Sequence, residues 1–221
     1  MSIDLFIIRH GNTFDPGDTL LRVGAGSDLP LSNSGKKQAQ QLGAYFKNRA
    51  LPDQVFCSQL QRTQETANIA MAYADHICTP RPEAWLNEID YGPDEGQPET
   101  KVIERLGKAQ LEDWEKNSMV PPGWQVDPSE IRQHWRQFLD TLKQQNSNET
   151  SINQTVWVVT SNGIARFVLD VLDRETQDLA QQRAVSRKLK TGHFGHLILS
   201  ENKINNYTAW CCRAWNVSPE D

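Results

Sequence analysis

The sequence is poor in cysteine, and it has no long apolar run, no internal repeat and no low-complexity tract. Its four cysteines, Cys57, Cys78, Cys211 and Cys212, lack the spacing of a metal site, so we expect reduced thiols in a cytoplasmic protein. No stretch is apolar over the length that a bilayer requires, and the first predicted strand begins too early to leave room for a signal peptide. The formal net charge of −5 gives no electrostatic reason to expect a nucleic-acid partner.

What the sequence does have is an alternation of strand and helix patterns over 221 residues, a length that suits one large domain. Buried-strand patterns lie at residues 5–8, 54–57 and 156–160, and helical patterns follow each of them. We therefore predict a single α/β domain over residues 1–221. It is a three-layer α/β/α sandwich with a mixed, mostly parallel sheet and a helical insertion at about residues 97–150.

The remaining elements are predicted from turn residues and apolar stripes. The prolines at positions 80 and 82 limit an edge strand to about residues 77–80, and a late hairpin joins residues 197–200 to residues 204–207. The predicted helices span residues 36–49, a stretch beginning near Arg62, and residues 100–116, 129–145, 164–172 and 177–188.

Arg9, His10 and Gly11 follow the first strand directly, and ligands bind at the carboxyl ends of strands in open α/β sheets. An arginine fork suits phosphate oxygens, and a histidine can act as a nucleophile toward phosphorus. We expect the glycine to let a bulky anion approach the backbone. Three residues of this kind also occur by chance in a surface loop, so this motif alone leaves both interpretations open.

Two further helix starts follow strands. Arg62 falls in the first turn of the helix after residues 54–57, where a cation is unfavourable unless an anion is bound. Taken alone, an ordinary exposed arginine is the simpler interpretation. Asn162 and Gly163 follow the strand at residues 156–160, where backbone N–H groups can meet an anion. The acid-rich segment around Glu88 reads as a solvated loop or as the source of a general acid.

Laid out in order, these residues resemble the signatures of the histidine phosphatase superfamily, which has the phosphoglycerate-mutase-like fold. The resemblance spans nearly the whole chain, because five motifs occur in the family's order. They are the RHG motif at residues 9–13, the second signature at residues 22–39, the phosphate-binding arginine segment at residues 58–67, the acid-donor segment at residues 86–96 and the ending Trp215-Asn216.

The chain departs from the family's pattern at three places. Asn162 stands where the family has its second histidine, and no other histidine of this chain is followed by glycine. Pro16 stands where the family has an asparagine, and residues 122–127 replace an acid-rich turn. His193 and His196 could compensate for the missing histidine, although loop or edge histidines are the simpler interpretation.

The resemblance implies a role for each matched residue. His10 is the nucleophile that becomes phosphorylated, and Glu88 is the acid that protonates the leaving group. Phosphate binding falls to Arg9, Arg62, Asn162, Asn12 and Gly163. Arg22 and Tyr91 are candidates for substrate specificity. No cofactor or metal is implied, and the partner is a small phosphorylated metabolite or a phosphoprotein, with no nucleic acid and no membrane.

We therefore expect a phosphomonoester hydrolase that works through a phosphohistidine and is slowed or retuned by Asn162. Two alternatives remain open: a non-catalytic module that binds phosphate, and a mutase of the phosphoglycerate type. The sequence does not name the substrate or the oligomeric state. Trp114 and Trp124 are candidates for apolar walls of the substrate mouth, whereas the apolar stripe around Trp135 predicts core packing.

Overall fold

The structure, a computed structural model, describes residues 2–148, 153–172, 186–202 and 207–220. Its centre is one six-stranded sheet with the order β3-β2-β4-β1-β5-β6. The strands are β1 (Ile3–Arg9), β2 (Gln54–Cys57), β3 (Arg81–Pro82), β4 (Gln154–Thr160), β5 (Phe194–Asn202) and β6 (Tyr207–Val217). The first four run parallel, and β5 and β6 add an antiparallel edge. The mixed, mostly parallel sheet is confirmed.

Strand β1 lies inside the sheet and separates two apolar layers. It pairs in parallel with β4 and antiparallel with β5, which satisfies the backbone polar groups along both of its edges. Leu5 and Ile7 face one apolar cluster, and Phe6 and Ile8 face the other. This alternation follows from the period of two along a strand, and here both faces are covered. The run of apolar residues at 5–8 is therefore a buried central strand, as predicted.

Helices cover both faces of the sheet, which confirms the three layers. The described residues form five α-helices: α1 (Asn33–Phe46), α2 (Gln61–Tyr73), α3 (Glu99–Asn117), α4 (Pro128–Asn148) and α5 (Asn162–Ala165). Helices α1 and α2 pack with Phe6 and Ile8, whereas α3 and α4 pack on the opposite face. Helix α1 begins three residues before the prediction, because the Ser32 side chain accepts from the Gly35 N–H as an N-cap. Helices α3 and α4 lie within the predicted insertion at about residues 97–150, and the assignment of residues 1–221 to one domain stays a prediction.

The edge strand was predicted at the wrong place. Residues 77–80 form no strand, Ile77 is fully exposed, and the two-residue β3 follows at Arg81–Pro82. Proline is tolerated there because an edge strand can leave its missing N–H on the solvent side. The second hairpin strand was predicted too short, since β6 includes Tyr207 and extends to Val217. Residues 204–206 of the predicted strand lie outside the described residues.

The helix predicted at residues 164–172 is only partly α-helical. After the short α5, a 3-10 helix runs over Arg166–Val171. The Trp135 indole N–H donates to the Ile164 carbonyl at 3.0 Å, and this is the acceptor that the Val168 N–H would use in a continuing α-helix. Of the helix predicted at residues 177–188, positions 177–185 lie outside the described residues and 186–188 are not helical. No helix in the described part of the chain has both the length and the apolar character needed to cross a membrane.

Candidate active site

A cavity of about 690 Å³ opens at the carboxyl ends of β1 and β4. Seven of the nine predicted site residues line it, and Arg62 and Gly163 do not. The seven are Arg9, His10, Asn12, Arg22, Glu88, Tyr91 and Asn162. These residues come from segments up to 153 positions apart in the sequence, and the parallel sheet brings them to one edge.

His10 lies at the base of the cavity and is 6% exposed. Its Nδ1 is 2.7 Å from the Gly11 carbonyl oxygen, and because a carbonyl only accepts, Nδ1 carries the proton. The lone pair of the neutral ring is therefore on Nε2. Burial, and then the charges of Arg62 and Arg9, hold the pKa of His10 well below its usual value. The imidazole is thus kept neutral, which is the form that a nucleophile requires.

Gly11 is required for a reason other than the one expected from the sequence. A Cβ at Gly11 would lie 2.4 Å from the Gly35 carbonyl oxygen, and a Cβ at Gly35 would lie 2.0 Å from the Asn12 carbonyl oxygen. The two glycines let the first turn of α1 pack directly against the loop after β1. The absence of a side chain at Gly11 therefore lets helix α1 pack closely against the loop. The contact does not support the expectation that this glycine makes room for an anion.

We predict that Gly11→Ala lowers the free energy of unfolding by about 2–3 kcal/mol, because the added methyl group overlaps backbone that cannot move away as a side chain can. Gly26→Ala is the matched control, since its Cβ would meet only the Glu95 side chain, whose nearest atom, Cγ, is 3.4 Å away. Urea unfolding of both variants measures the difference. Equal midpoints for the two variants would contradict the close packing of residues 11 and 35.

The partly buried Arg9 and the fully buried Arg62 place two positive charges beside His10. The Arg9 Nη1 donates to the Leu189 carbonyl at 2.8 Å, and Arg62 donates to the carbonyls of Ser27 and Gly24 at 2.7 and 3.0 Å. Within the residues described, the Nε of each arginine is buried without a hydrogen-bond partner. Arg62 is fully buried and does not line the cavity, but its charge acts on both His10 and Glu88. Arg62 and His10 therefore lie on the same side of the molecule, as the sequence predicts.

Glu88 is a buried carboxyl group in the same cavity, 7% exposed. It accepts from the N–H of Ile89 at 2.9 Å and from the N–H of Gly163 at 3.2 Å. Burial raises its pKa, and the two N–H bonds and the arginine charges oppose that rise. A carboxyl whose pKa is raised can hold a proton for a leaving group. The Gly163 N–H, predicted to bind phosphate, is used here by Glu88, and a Cβ at Gly163 would lie 2.0 Å from its Oε1.

Asn162 is held in a defined orientation. Its Oδ1 accepts from the Leu189 N–H at 2.7 Å, which identifies the other amide atom as the Nδ2 donor, and Asn162 lines the cavity. The Leu189 carbonyl also accepts from Arg9, so the backbone of this one residue holds two site residues through its N–H and its carbonyl. Leu189 belongs to none of the sequence motifs, and no signal in the sequence indicates its part in the site.

The other predicted site residues have structural contacts of their own. The Asn12 amide donates to Ser34 Oγ at 3.3 Å, and its Oδ1 accepts from the Thr191 hydroxyl. The Tyr91 ring packs edge-on against the Trp124 ring, with 4.7 Å between the ring centroids. The Arg22 guanidinium lies 5.1 Å from the centroids of both of these rings.

The candidate replacements for the missing histidine have partners elsewhere. His193 Nδ1 is 3.2 Å from the Asn216 carbonyl, and His196 Nε2 is 2.6 Å from Asp4 Oδ1 while its ring stacks on Phe6. The two tryptophans proposed as walls of the substrate mouth, Trp114 and Trp124, are buried in the core and do not line the cavity. Pro16, which stands at a position where the family has asparagine, does line it.

Comparison with known proteins identifies the family of the chain. The profile of the histidine phosphatase superfamily (branch 1) matches residues 5–203. A 2,3-bisphosphoglycerate-dependent phosphoglycerate mutase of Bifidobacterium longum (strain DJO10A) is 33% identical over 132 residues, which are 59% of this chain and 52% of that protein. The chain thus spans about half the length of the curated relatives it matches.

Two solved structures share the fold. Phosphoglycerate mutase from Bacillus anthracis str. Sterne has a TM-score of 0.74 at 16% identity, covering 100% of this chain and 97% of the other. A mycobacterial glucosyl-3-phosphoglycerate phosphatase has a TM-score of 0.73 at 18% identity, covering 99% and 100%. At these identities the structures establish the fold alone. From the profile match over most of its length, the chain belongs to the histidine phosphatase superfamily (branch 1).

Proposed function

We propose that the protein hydrolyses phosphomonoesters through a phosphohistidine at His10. The observation that supports this most strongly is the 2.7 Å contact from His10 Nδ1 to the Gly11 carbonyl, which leaves Nε2 as the free nucleophile in a cavity shared with Glu88. A site that only bound phosphate would need neither a neutral histidine with a free Nε2 nor a buried acid. The combination favours chemistry over simple binding.

The first step forms a bond between Nε2 of His10 and phosphorus and breaks the bond from phosphorus to the ester oxygen. That oxygen receives the proton of Glu88 and leaves as an alcohol. In the second step, water attacks phosphorus, the phosphorus–nitrogen bond breaks, and the Glu88 carboxylate accepts the water proton. Both groups return to their starting forms, with inorganic phosphate as the second product.

Positive charge and oriented donors stabilise the transferring group. Charge on a loose phosphoryl transition state is spread over three oxygens, so electrostatics and positioning dominate the catalysis. We propose that Arg9 and the Nδ2 of Asn162 bind those oxygens, since both residues line the cavity, and that the charge of the fully buried Arg62 stabilises them from behind the cavity wall. With two guanidinium groups and one acid at the site, we propose that the reaction needs no metal ion.

We predict that Asn162→Leu lowers kcat by about 10²–10³-fold, because a side chain of the same branched shape then lacks both the Nδ2 donor and the Oδ1 that accepts from the Leu189 N–H. Asn162→His should stay within about tenfold of the wild type, since an imidazole N–H can donate in place of the amide. Release of 4-nitrophenol from 4-nitrophenyl phosphate measures all three proteins. If Asn162→Leu hydrolyses the ester at the wild-type rate, Asn162 takes no part in binding the transferring group.

Mutase activity is a second candidate, favoured by the 33% identity to a phosphoglycerate mutase. A mutase must keep its phosphoryl group on the enzyme, and this chain has an amide where its family has a second histidine. ³¹P NMR of a reaction with 3-phosphoglycerate separates the two activities. Accumulation of inorganic phosphate supports the hydrolase, and accumulation of 2-phosphoglycerate would support the mutase. Binding of phosphate with no turnover of any ester would indicate a non-catalytic module.

A further inference from the structure

The part of the cavity wall around Arg22 is built on a pairing of two loops. The Arg22 N–H donates to the Gln97 carbonyl at 2.9 Å, and the Gly96 N–H donates to the Arg22 carbonyl at 2.8 Å. Leu21 and Pro98 form an antiparallel bridge beside them. The backbone at Arg22 is therefore fixed against the segment that leads into α3.

This pairing brings Glu99, at the start of α3, onto the Arg22 guanidinium. Nη2 of Arg22 lies 2.6 and 2.7 Å from the two carboxylate oxygens of Glu99, and both residues line the cavity. The neighbouring rings of Tyr91 and Trp124 pack against the guanidinium, each with its centroid 5.1 Å from Cζ of Arg22. Arg22 thus has its charge compensated and its position fixed before any substrate enters.

A second ion pair, farther along α3, also compensates the charge of an arginine. Glu115 lines the cavity, and its Oε2 is 3.2 Å from Nη1 of the fully buried Arg166. Arg166 in turn stacks on Trp114 at 4.2 Å. Lys188 also lines the cavity, next to Leu189, whose backbone contacts Arg9 and Asn162. We therefore place the positive charge of Lys188 near Arg9 and Asn162, where the phosphate is proposed to bind.

Besides the charged groups named above, the cavity wall contains Thr13, Thr191, the acidic Asp15 and several apolar side chains. Its apolar members are Phe14, Pro16, Leu20, Leu21 and Val23. We infer that the cavity selects phosphomonoesters of uncharged, partly apolar alcohols, and that Glu99 enforces this choice by neutralising Arg22. A leaving group with a carboxylate would find that guanidinium already paired and would face the charges of Glu99 and Glu115. This inference rests on the proposed function and names the substrate class of the same cavity.

The test uses two substrates of nearly equal shape, 4-(carbamoylmethyl)phenyl phosphate and 4-(carboxymethyl)phenyl phosphate. The wild type is expected to prefer the amide over the acid by about tenfold in kcat/KM. Glu99→Gln should reduce that preference about fivefold, because Arg22 becomes available to the substrate carboxylate. Glu104→Gln is the matched control, since Glu104 lies on the same helix, pairs with Lys101 and does not line the cavity. It should leave the preference unchanged.

The ratio of the two substrates separates specificity from a general disturbance, which would change both rates together. A wild type that prefers the acid, or a preference that Glu99→Gln leaves unchanged, would overturn the inference. Unsubstituted phenyl phosphate reports the proposed function independently, because it lacks both groups. If it is not hydrolysed, the proposed function fails, and the dissociation constants of the same two compounds, measured by isothermal titration, still decide the inference.

Discussion

Replacing His10 with asparagine is expected to lower kcat for 4-nitrophenyl phosphate by about 10⁴-fold or more, because the attacking atom itself is removed. The asparagine amide can still donate to the Gly11 carbonyl, so the loop after β1 keeps a hydrogen-bonding partner of similar length. Phosphate binding by Arg9 and Arg62 should therefore survive in the variant. The kcat and the dissociation constant for inorganic phosphate are measured on the same preparation. The first is expected to fall and the second to stay close to that of the wild type.

A matched control for this variant is His76→Asn. His76 follows α2, and its Nε2 contacts the Pro52 carbonyl at 2.8 Å, away from the cavity lining. It should retain the wild-type kcat. A His10→Asn variant that remains as active as this control would show that the nucleophile is a different group.

Replacing Glu88 with glutamine is expected to lower kcat for phenyl phosphate by about 10²–10⁴-fold, because the leaving oxygen loses its proton donor. The loss should be smaller for 4-nitrophenyl phosphate, whose leaving group departs readily as the anion. The difference between the two substrates separates proton donation from any change in packing. Equal losses on both would argue that Glu88 positions its neighbours and does not transfer a proton.

The direction of each pKa shift fixes the expected pH dependence. Glu88 must be protonated for the first step, and because its pKa is raised, the donor persists above the range of an ordinary carboxyl. Activity on phenyl phosphate should fall as rising pH ionises Glu88. His10 must be neutral, and because its pKa is lowered, the nucleophile persists below the range of an ordinary histidine. The acid limb due to His10 should therefore lie well below pH 6.5.

The same shifts affect stability in opposite directions. A buried neutral His10 binds fewer protons than the unfolded chain below its usual pKa, so its contribution to stability falls as the pH decreases through that range. Glu88 binds more protons in the folded state, so its contribution falls as the pH rises through its elevated pKa. In the Glu88→Gln variant, the second of these losses should disappear from urea unfolding measured across pH.

Local patterns in the sequence predict the centre of the fold well. The apolar runs of β1 and β4 are buried on both sides, and such runs form the interior of parallel sheets. Once these two strands are placed, the residues that follow them, His10 and Asn162, must lie at one edge. This is why Arg9, His10, Asn12 and Asn162, four of the seven predicted residues that line the cavity, come together.

Contacts between distant residues are what the local patterns leave out. The Arg22–Glu99 pair spans 77 positions, and its geometry depends on the bridge between Leu21 and Pro98. Tertiary packing also decides the contact of Asn162 with the Leu189 N–H and the close packing of α1 against Gly11. No periodicity or spacing encodes these contacts, because each is decided by how two elements pack against each other.

The most direct measurement of the proposed mechanism is the chemical state of His10 during turnover. Wild-type protein is mixed with 4-nitrophenyl phosphate, quenched in alkaline denaturant within a turnover, and digested for peptide mass spectrometry. The account predicts one phosphoryl group on the peptide containing His10, formed with a burst of 4-nitrophenol and absent from the His10→Asn variant. Steady hydrolysis without phosphorylation of His10 would contradict it, as would labelling that appears only in the Asn162→His variant.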